Sequence, residues 1–388
     1  MKTVATHTFR GSEGGAEHTI MIQAPGHIGF AEQVKFIERY YKEAQEKLGL
    51  DPKTAIFRRF FLSDVLNQAE AVRQSALADE REDNPVALSL LQQSPLPESK
   101  IAMLAYHIDN ATLIKKKRLS PYHLLVEKNG KRHLWSTGLC SDAYDGQPPT
   151  SPAEQTKAGF GDAVALLASQ GGSLKTNGVR AWIYLKDVDV FYAGMVESRR
   201  ELFKKLGMNG DTHYIAATAI EGAPAHKNGL VAIDLYSQLD LKPEQVTFLY
   251  DPDYLPFRNH QVVFEYGTKI DYRDRAHLFP SGTGSVDPSL IILYKGDVMR
   301  QLERSLENVE ALLRAGKAGL QDLTHLIVYL RDLTDYQRVG QYLDERFANL
   351  PKIIVQAPVC NPDWLVEIEG AAIIANNPAN EGKTFPSF

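Results

Sequence analysis

The chain has 388 residues, 44% hydrophobic and 23% charged, which is the make-up of an ordinary globular protein with room for two or three domains of roughly 100 to 200 residues. Its net charge of -5, from 43 basic and 48 acidic side chains, gives no general attraction to nucleic-acid phosphate or anionic lipid. Two cysteines, Cys140 and Cys360, cannot make a disulfide framework, the N-terminal stretch MKTVATHTFRGSEGG lacks the apolar centre of a signal peptide, and no apolar run approaches the ~18 residues of a membrane span. A cytoplasmic protein with neither a nucleic-acid nor a membrane partner is expected.

Taken in chain order, the elements repeat. A helical stretch over Ala31 to Leu48 leads to the apolar run AIFRRFFL and then Ser63 and Asp64. A second copy runs from Glu154 through GFGDAVALLASQGG to VRAWIYL, Lys186 and Asp187, and a third from Asp297 through QLERSLENVEALLRAG to THLIVYL, Arg331 and Asp332. From the glutamine at each helix start to the aspartate after each strand the separations are 31, 32 and 31 residues: Gln33 to Asp64, Gln155 to Asp187, Gln301 to Asp332. A self-similar spacing of this kind marks a repeat architecture. A second helical pattern follows each aspartate, in LNQAEAVRQ, FYAGMVESRRELFKKLG and YQRVGQYLDERFANL. Each copy then ends in a strand, within LPESKIAMLAYHI, GLVAIDLYSQL and DWLVEIEGAAII.

Leu302, Leu306, Val309 and Leu313 recur at helical spacing and give the third copy an apolar stripe that must cover something. The run Leu326 to Leu330 is apolar without alternation, as in a strand covered on both faces. Helices therefore pack on one sheet face, and another layer covers the other. Repeat boundaries are placed near residues 125 and 255, giving units 1–125, 126–255 and 256–388, with the proline-bearing stretch Leu249 to Gln261 as a linker. The basic run Lys115 to Arg118 reads as a solvated loop or strand edge.

In the third copy the strings SGTGS, GDV, ENVEALL, VYLRD and LVEIEG together resemble the Rid superfamily, also described as YjgF-like or endoribonuclease L-PSP-like, over about residues 277 to 375. The resemblance is weaker over 132 to 237. It implies an α/β (α+β) fold of chorismate-mutase-like units, each a mixed sheet with two helices on one face. Family members of this kind are homotrimers with clefts between subunits, so three fused copies imply an intrachain pseudotrimer, either monomeric or further assembled as a homo-oligomer. In the deaminase branch an arginine after the second helix holds the substrate carboxylate and a glutamate on the last strand positions a water. The alignment puts Glu367 on that glutamate and Lys352 on the anchor. The second copy has Ala232 and, near the anchor, Thr212; the first offers no carboxylate in IAMLA. Lysine for arginine exchanges a bidentate fork for a point charge. Chorismatases, Rid-like enzymes that cleave the enolpyruvyl ether of chorismate, are also similar through SGTGS, VRAWIYL, ATAIEG and VCNPDWLVEIEG, with departures at Ile183 and in the helix that follows.

Independently of family, strand alternation puts Glu367 and Glu369 on one face, and an acid in so apolar a strand is paired, solvated in a cleft, neutral, or simply on a half-exposed face. Arg180 and Tyr184 share a strand face, and Arg180 is either a second anchor for substrate or part of an internal ion pair. Ser281, Gly282 and Thr283 form a turn whose amides are candidates to hold an oxyanion. Cys360, seven residues before Glu367, is a candidate for the same cleft or a small buried hydrophobe. No metal-ligand spacing, phosphate loop or dinucleotide signature occurs, so neither a metal nor an organic cofactor is expected. The resemblance implies a hydrolase for a small carboxylate-bearing substrate, an imine or enamine deaminase first and a chorismatase-like enol-ether hydrolase second. A non-catalytic ligand-binding protein remains a third possibility, since two copies lack the acid; the ribonuclease reading is disfavoured by net acidity.

Overall fold

The computed structural model describes residues 3–13, 15–78, 84–140, 151–258, 261–376 and 384–388. Each of the three copies folds into the same unit. The first contains β1 (Val4–Arg10), β2 (Ala16–Gln23), α1 (Phe30–Leu48), β3 (Ala55–Leu62), α2 (Val65–Arg73), β4 (Ala87–Gln92) and β5 (Ile101–Ile108), in the sheet order β1-β2-β5-β3-β4. The second contains β6 (Ile114–Ser120), β7 (His123–Lys128), β8 (Lys131–Leu139), α3 (Pro152–Ser169), β9 (Gly178–Leu185), α4 (Val188–Lys205), β10 (Ala216–Glu221) and β11 (Val231–Gln238), in the order β6-β7-β8-β11-β9-β10. The third contains β12 (Val246–Phe248), β13 (Gly267–Asp271), β14 (Arg275–Pro280), α5 (Val298–Ala315), β15 (Leu323–Leu330), α6 (Tyr336–Arg346), β16 (Lys352–Gln356) and β17 (Val366–Ala375), in the order β12-β13-β14-β17-β15-β16. In every unit the last two strands of that order are parallel and the remaining pairs antiparallel.

The apolar stripe of α5 is buried at Leu302, Leu306, Val309 and Leu313 against Leu326, Val328 and Leu330 of β15. Each such side chain contributes about 1.5 to 3 kcal/mol by leaving water. The alternate residues of β15, Ile327 and Tyr329, point the other way, into a central cluster shared with Phe57 and Phe61 of the first unit and Tyr184 and Tyr236 of the second. Three sheets thus turn their uncovered faces toward one another, while each keeps its own core beneath its helices. That arrangement is why the strand lacks alternation in its sequence.

The units clasp in a ring. Ala223 and Pro224, just after β10, pair with β4; Ser94 and Pro95, just after β4, pair with β16; and Val359, just after β16, bridges to Ile220 on β10. One edge of each sheet, at β4, β10 or β16, is thereby met by the neighbouring unit instead of being left open.

The boundaries placed near 125 and 255 shift. β6 pairs with β7 and so opens the second sheet after residue 113, and β12 pairs with β13 and opens the third sheet after residue 245. The lysines of β6 mask a strand whose Lys115 and Lys117 face solvent while Lys116 turns in to bond Ala55 O and Asn84 Oδ1. The linker assigned to Leu249 to Gln261 belongs to the third unit, with Leu249 and Leu255 packed in its core; its residues 259 and 260 lie outside the described ones. Among the described residues no helix is long and apolar enough to cross a membrane.

Candidate functional site

β17 carries Glu367 beside Tyr329 of β15 on one flank and Gly284 on the other. Strand alternation puts Glu369 on the same face, and the two acids meet different fates. Glu369 is enclosed by the first and second units: Arg180 Nη2 donates to it at 3.1 Å, Trp182 Nε1 at 3.0 Å, the Thr218 hydroxyl donates to the same carboxylate, and Arg59 lies at 3.7 Å. Glu367 has no such partner and faces a cavity of about 340 Å³ at the seam between the second and third units. Its side chain is buried, and that burial, with the neighbouring Glu369 adding to it and Arg180 opposing, pushes the carboxyl up to about 8. At neutral pH most of this group holds its proton.

The second unit supplies the opposite wall through β10 and α4. Arg199 of α4 is 2% exposed and lines the cavity; one terminal nitrogen donates to Val262 O, while Nε and Nη1 have no hydrogen-bond partner among the described residues. A buried guanidinium with two idle donors is arranged for an anion. Tyr192, about two helical turns earlier, contacts Cys360 and reaches the same space. Burial, and then the nearby Glu367, push the Cys360 thiol up to about 12, so it sits there as a neutral wall and not as a nucleophile.

Thr218 of β10 joins the walls. Its hydroxyl contacts Glu369 and Arg180 and accepts from the backbone of Gly282 at 2.9 Å. Gly282 is required by space: a Cβ there would lie 2.2 Å from Glu367 Oε1 and 2.8 Å from Thr218 Cγ2.

Glu367, Gly282, Thr283 and Cys360 are brought together in this cavity. Others of the expected residues are not. Lys352 is paired with Leu326 at the start of β16, three positions from Val355, which is level with Tyr329 and Glu367, so it turns to the opposite, helix-covered face. There it binds Asp344 at 2.9 Å and Phe347 O at 3.0 Å, and the anchor role fails on geometry. By register the matching position in the second unit is Ala217, which does line the cavity, and not Thr212, whose hydroxyl is spent on Gly207 O. Arg180 serves the internal ion pair with Glu369 and not a ligand. Tyr184 lies on the same strand face but is buried in the central cluster, away from this cavity. The oxyanion turn is also corrected: Ser281 N donates to Tyr266 O and Gly282 N to Thr218, leaving neither amide free, while the Ser281 hydroxyl accepts from Ala217 N at 2.8 Å and donates to Glu265 O at 2.6 Å. Thr283 Oγ1 donates to Ser281 O. This turn is a seam that fastens two units.

Arg199 was missed by the sequence reading, yet a signal existed. Val188, Met195, Val196, Arg199 and Phe203 are the buried stripe of α4, so an arginine occupies a helical core position.

The sequence family described as endoribonuclease L-PSP matches residues 263–374. A RutC family protein of Pyrococcus abyssi is 31% identical over 97 residues, 24% of this chain and 76% of that relative. The 3-aminoacrylate deaminase RutC of Acinetobacter baylyi is 29% identical over 97 residues, 24% of this chain and 77% of the relative. A chorismatase of Streptomyces rapamycinicus is 33% identical over 107 residues, 25% of this chain and only 32% of that enzyme. A solved chorismatase structure superposes with a TM-score of 0.62 at 18% identity, covering 82% of this chain and 93% of that one, so the two share a fold.

Proposed function

The chain belongs to the Rid (YjgF-like, RutC) family, and from that premise we propose that it hydrolyses a carboxylate-bearing enamine, or the imine in equilibrium with it, with Glu367 as proton donor. The observation that carries this reading is a carboxyl raised to about 8 opposite a buried arginine with unpartnered nitrogens, in one cavity. Arg199 takes the substrate carboxylate by charge-assisted hydrogen bonds. Neutral Glu367 gives its proton to the vinylic carbon, and the nitrogen lone pair moves in to form an iminium ion. Water adds to the iminium carbon and returns a proton to the Glu367 carboxylate. The carbinolamine then collapses, breaking the C–N bond and releasing ammonia and a carbonyl product. One glutamate acts as acid and then as base.

A second reading keeps the same first step. The 33% identity to a chorismatase over 107 residues favours an enol ether: protonation of its terminal vinylic carbon leaves an oxocarbenium ion at the neighbouring ether carbon, water adds there, and the hemiketal breaks down to a ketone with loss of an alcohol. Incubation with an enamine or imino acid generated in place, and separately with chorismate, following ammonia and pyruvate release, separates the two. Glu367→Gln should lower turnover about 100-fold or more, as loss of a general acid does. The wild-type rate should fall as pH rises through about 8, where Glu367 loses its proton. Turnover unchanged by the substitution, or a rate that climbs across that range, defeats the proton-donor assignment. A ligand bound at the cavity with no turnover of either class would instead mark a binding protein.

A further inference from the structure

The cavity lining combines two kinds of chemistry. Glu367, Thr218 and Arg199, with Gln261 and Asn361, supply polar groups; Leu255, Phe264, Leu290 and Trp364 supply an apolar surface and belong to or pack on the helix-side core of the third unit. Leu290 holds a left-handed backbone conformation, φ 64°, a costly state for a leucine, and its side chain lines the cavity. Among the described lining residues Arg199 is the only lysine or arginine. At about 340 Å³ the space far exceeds a three-carbon acid, which needs the room of about three waters at roughly 30 Å³ each.

We propose, building on the hydrolase reading above, that this site takes a monocarboxylate with an apolar body of about ring size, its carboxylate on Arg199, its reacting carbon at Glu367 and its body against Leu255, Phe264, Leu290 and Trp364. Two alternatives fit less well. A small polar acid leaves the apolar part of the lining against poorly bonded water, and a dicarboxylate needs a second cation for its second charge. The apolar surface covered by such a body supplies affinity that a three-carbon acid cannot collect.

The test is calorimetric titration of the full chain with non-reacting acids: propionate, 3-phenylpropionate and succinate. The expected order is 3-phenylpropionate tighter than propionate by at least tenfold, with succinate no tighter than propionate. Equal affinity for the two monocarboxylates, or preference for succinate, overturns the proposal. Arg199→Met should weaken 3-phenylpropionate binding at least tenfold, and Leu290→Asn should lower the ratio of phenylpropionate to propionate affinity while leaving propionate unchanged. If Arg199→Met does not fold, the wild-type ranking and the Leu290 ratio still decide. Imines generated from phenylalanine and from alanine complete the comparison. Tight phenylpropionate binding with no turnover of either imine sinks the hydrolase reading and leaves the ligand class standing. Turnover of both at equal kcat/KM, lost in Glu367→Gln, sinks the ligand class and leaves the hydrolase reading standing.

Discussion

Exchanging a water shell for the walls of the cavity is what moves the Glu367 carboxyl, and the neighbouring Glu369 adds to the displacement. A carboxyl raised from 4.5 in the unfolded chain to about 8 in the folded one contributes stability that is fully present below about 4.5 and lost as pH rises through 8. Glu367→Gln removes that dependence. Its melting temperature should therefore gain on the wild type between pH 5 and pH 9, as measured by calorimetry at both; an unchanged difference would place the acid in water. Gly282 controls the same group by shape. With a Cβ 2.2 Å from Glu367 Oε1, Gly282→Ala must displace the acid, and turnover should drop at least tenfold while the circular dichroism stays that of the wild type. The face was readable, because alternation in LVEIEG sets Glu367 and Glu369 on one side of the strand, and the family resemblance singled out Glu367 of the two. Its partner was not. Lys352 sits at the expected distance along the chain, but a strand register reverses the direction of a side chain with each residue, and only pairing across strands shows that this lysine looks away.

The helices and buried strands were the most legible elements, since a 3.6-residue stripe or an unbroken apolar run records burial directly. Leu306 of α5 is fully buried in the core of the third unit. Leu306→Ala should cost about 2 to 5 kcal/mol in a denaturant titration, the range for a leucine deleted from a packed core. A loss under 1 kcal/mol would mean that α5 is not a structural helix of that core. β6 was hidden because its stability rests on pairing and not on an apolar pattern. Lysines on an edge strand protect it from pairing with other chains, and the same lysines disguise it as loop. The first unit boundary moved for that reason; the second moved because β12, only three residues long, pairs with β13.

Across the whole molecule, buried ion pairs fasten the seams. Glu17 of the first unit meets Arg275 at 2.6 Å and His277 at 2.9 Å in the third, with the Tyr106 hydroxyl also donating to it. Burial pushes the Glu17 carboxyl up, but His277 and Arg275 outweigh it and hold the group well below its ordinary value. Glu17→Gln leaves Arg275 with Asp274 at 2.7 Å but one counter-charge fewer, and should cost about 3 kcal/mol above pH 5, the cost shrinking in acid because the unfolded wild type takes up a proton where the folded carboxylate does not. Equilibrium unfolding at pH 7 and pH 3.5 measures both. At the second seam Asp234 binds Arg59 at 3.1 Å and Ser89 Oγ at 2.6 Å. The repeat spacing announced three units; which acid would bind which arginine across them depends on their packing and was not written in any one unit.

All three seams hold cavities of similar size, about 340, 380 and 320 Å³. By register the position of Glu367 is Ala232 in the second unit and Ala102 in the first. In an assembly of identical subunits a single codon change alters every cleft at once, so no cleft can be remodelled without risking the others. Fusion into one gene removes that constraint. Two clefts are free to drift, to take up other ligands or to close, while selection on the third acts undiluted, and on the proposed reading each polypeptide would carry one reacting site where a trimer of separate chains would carry three.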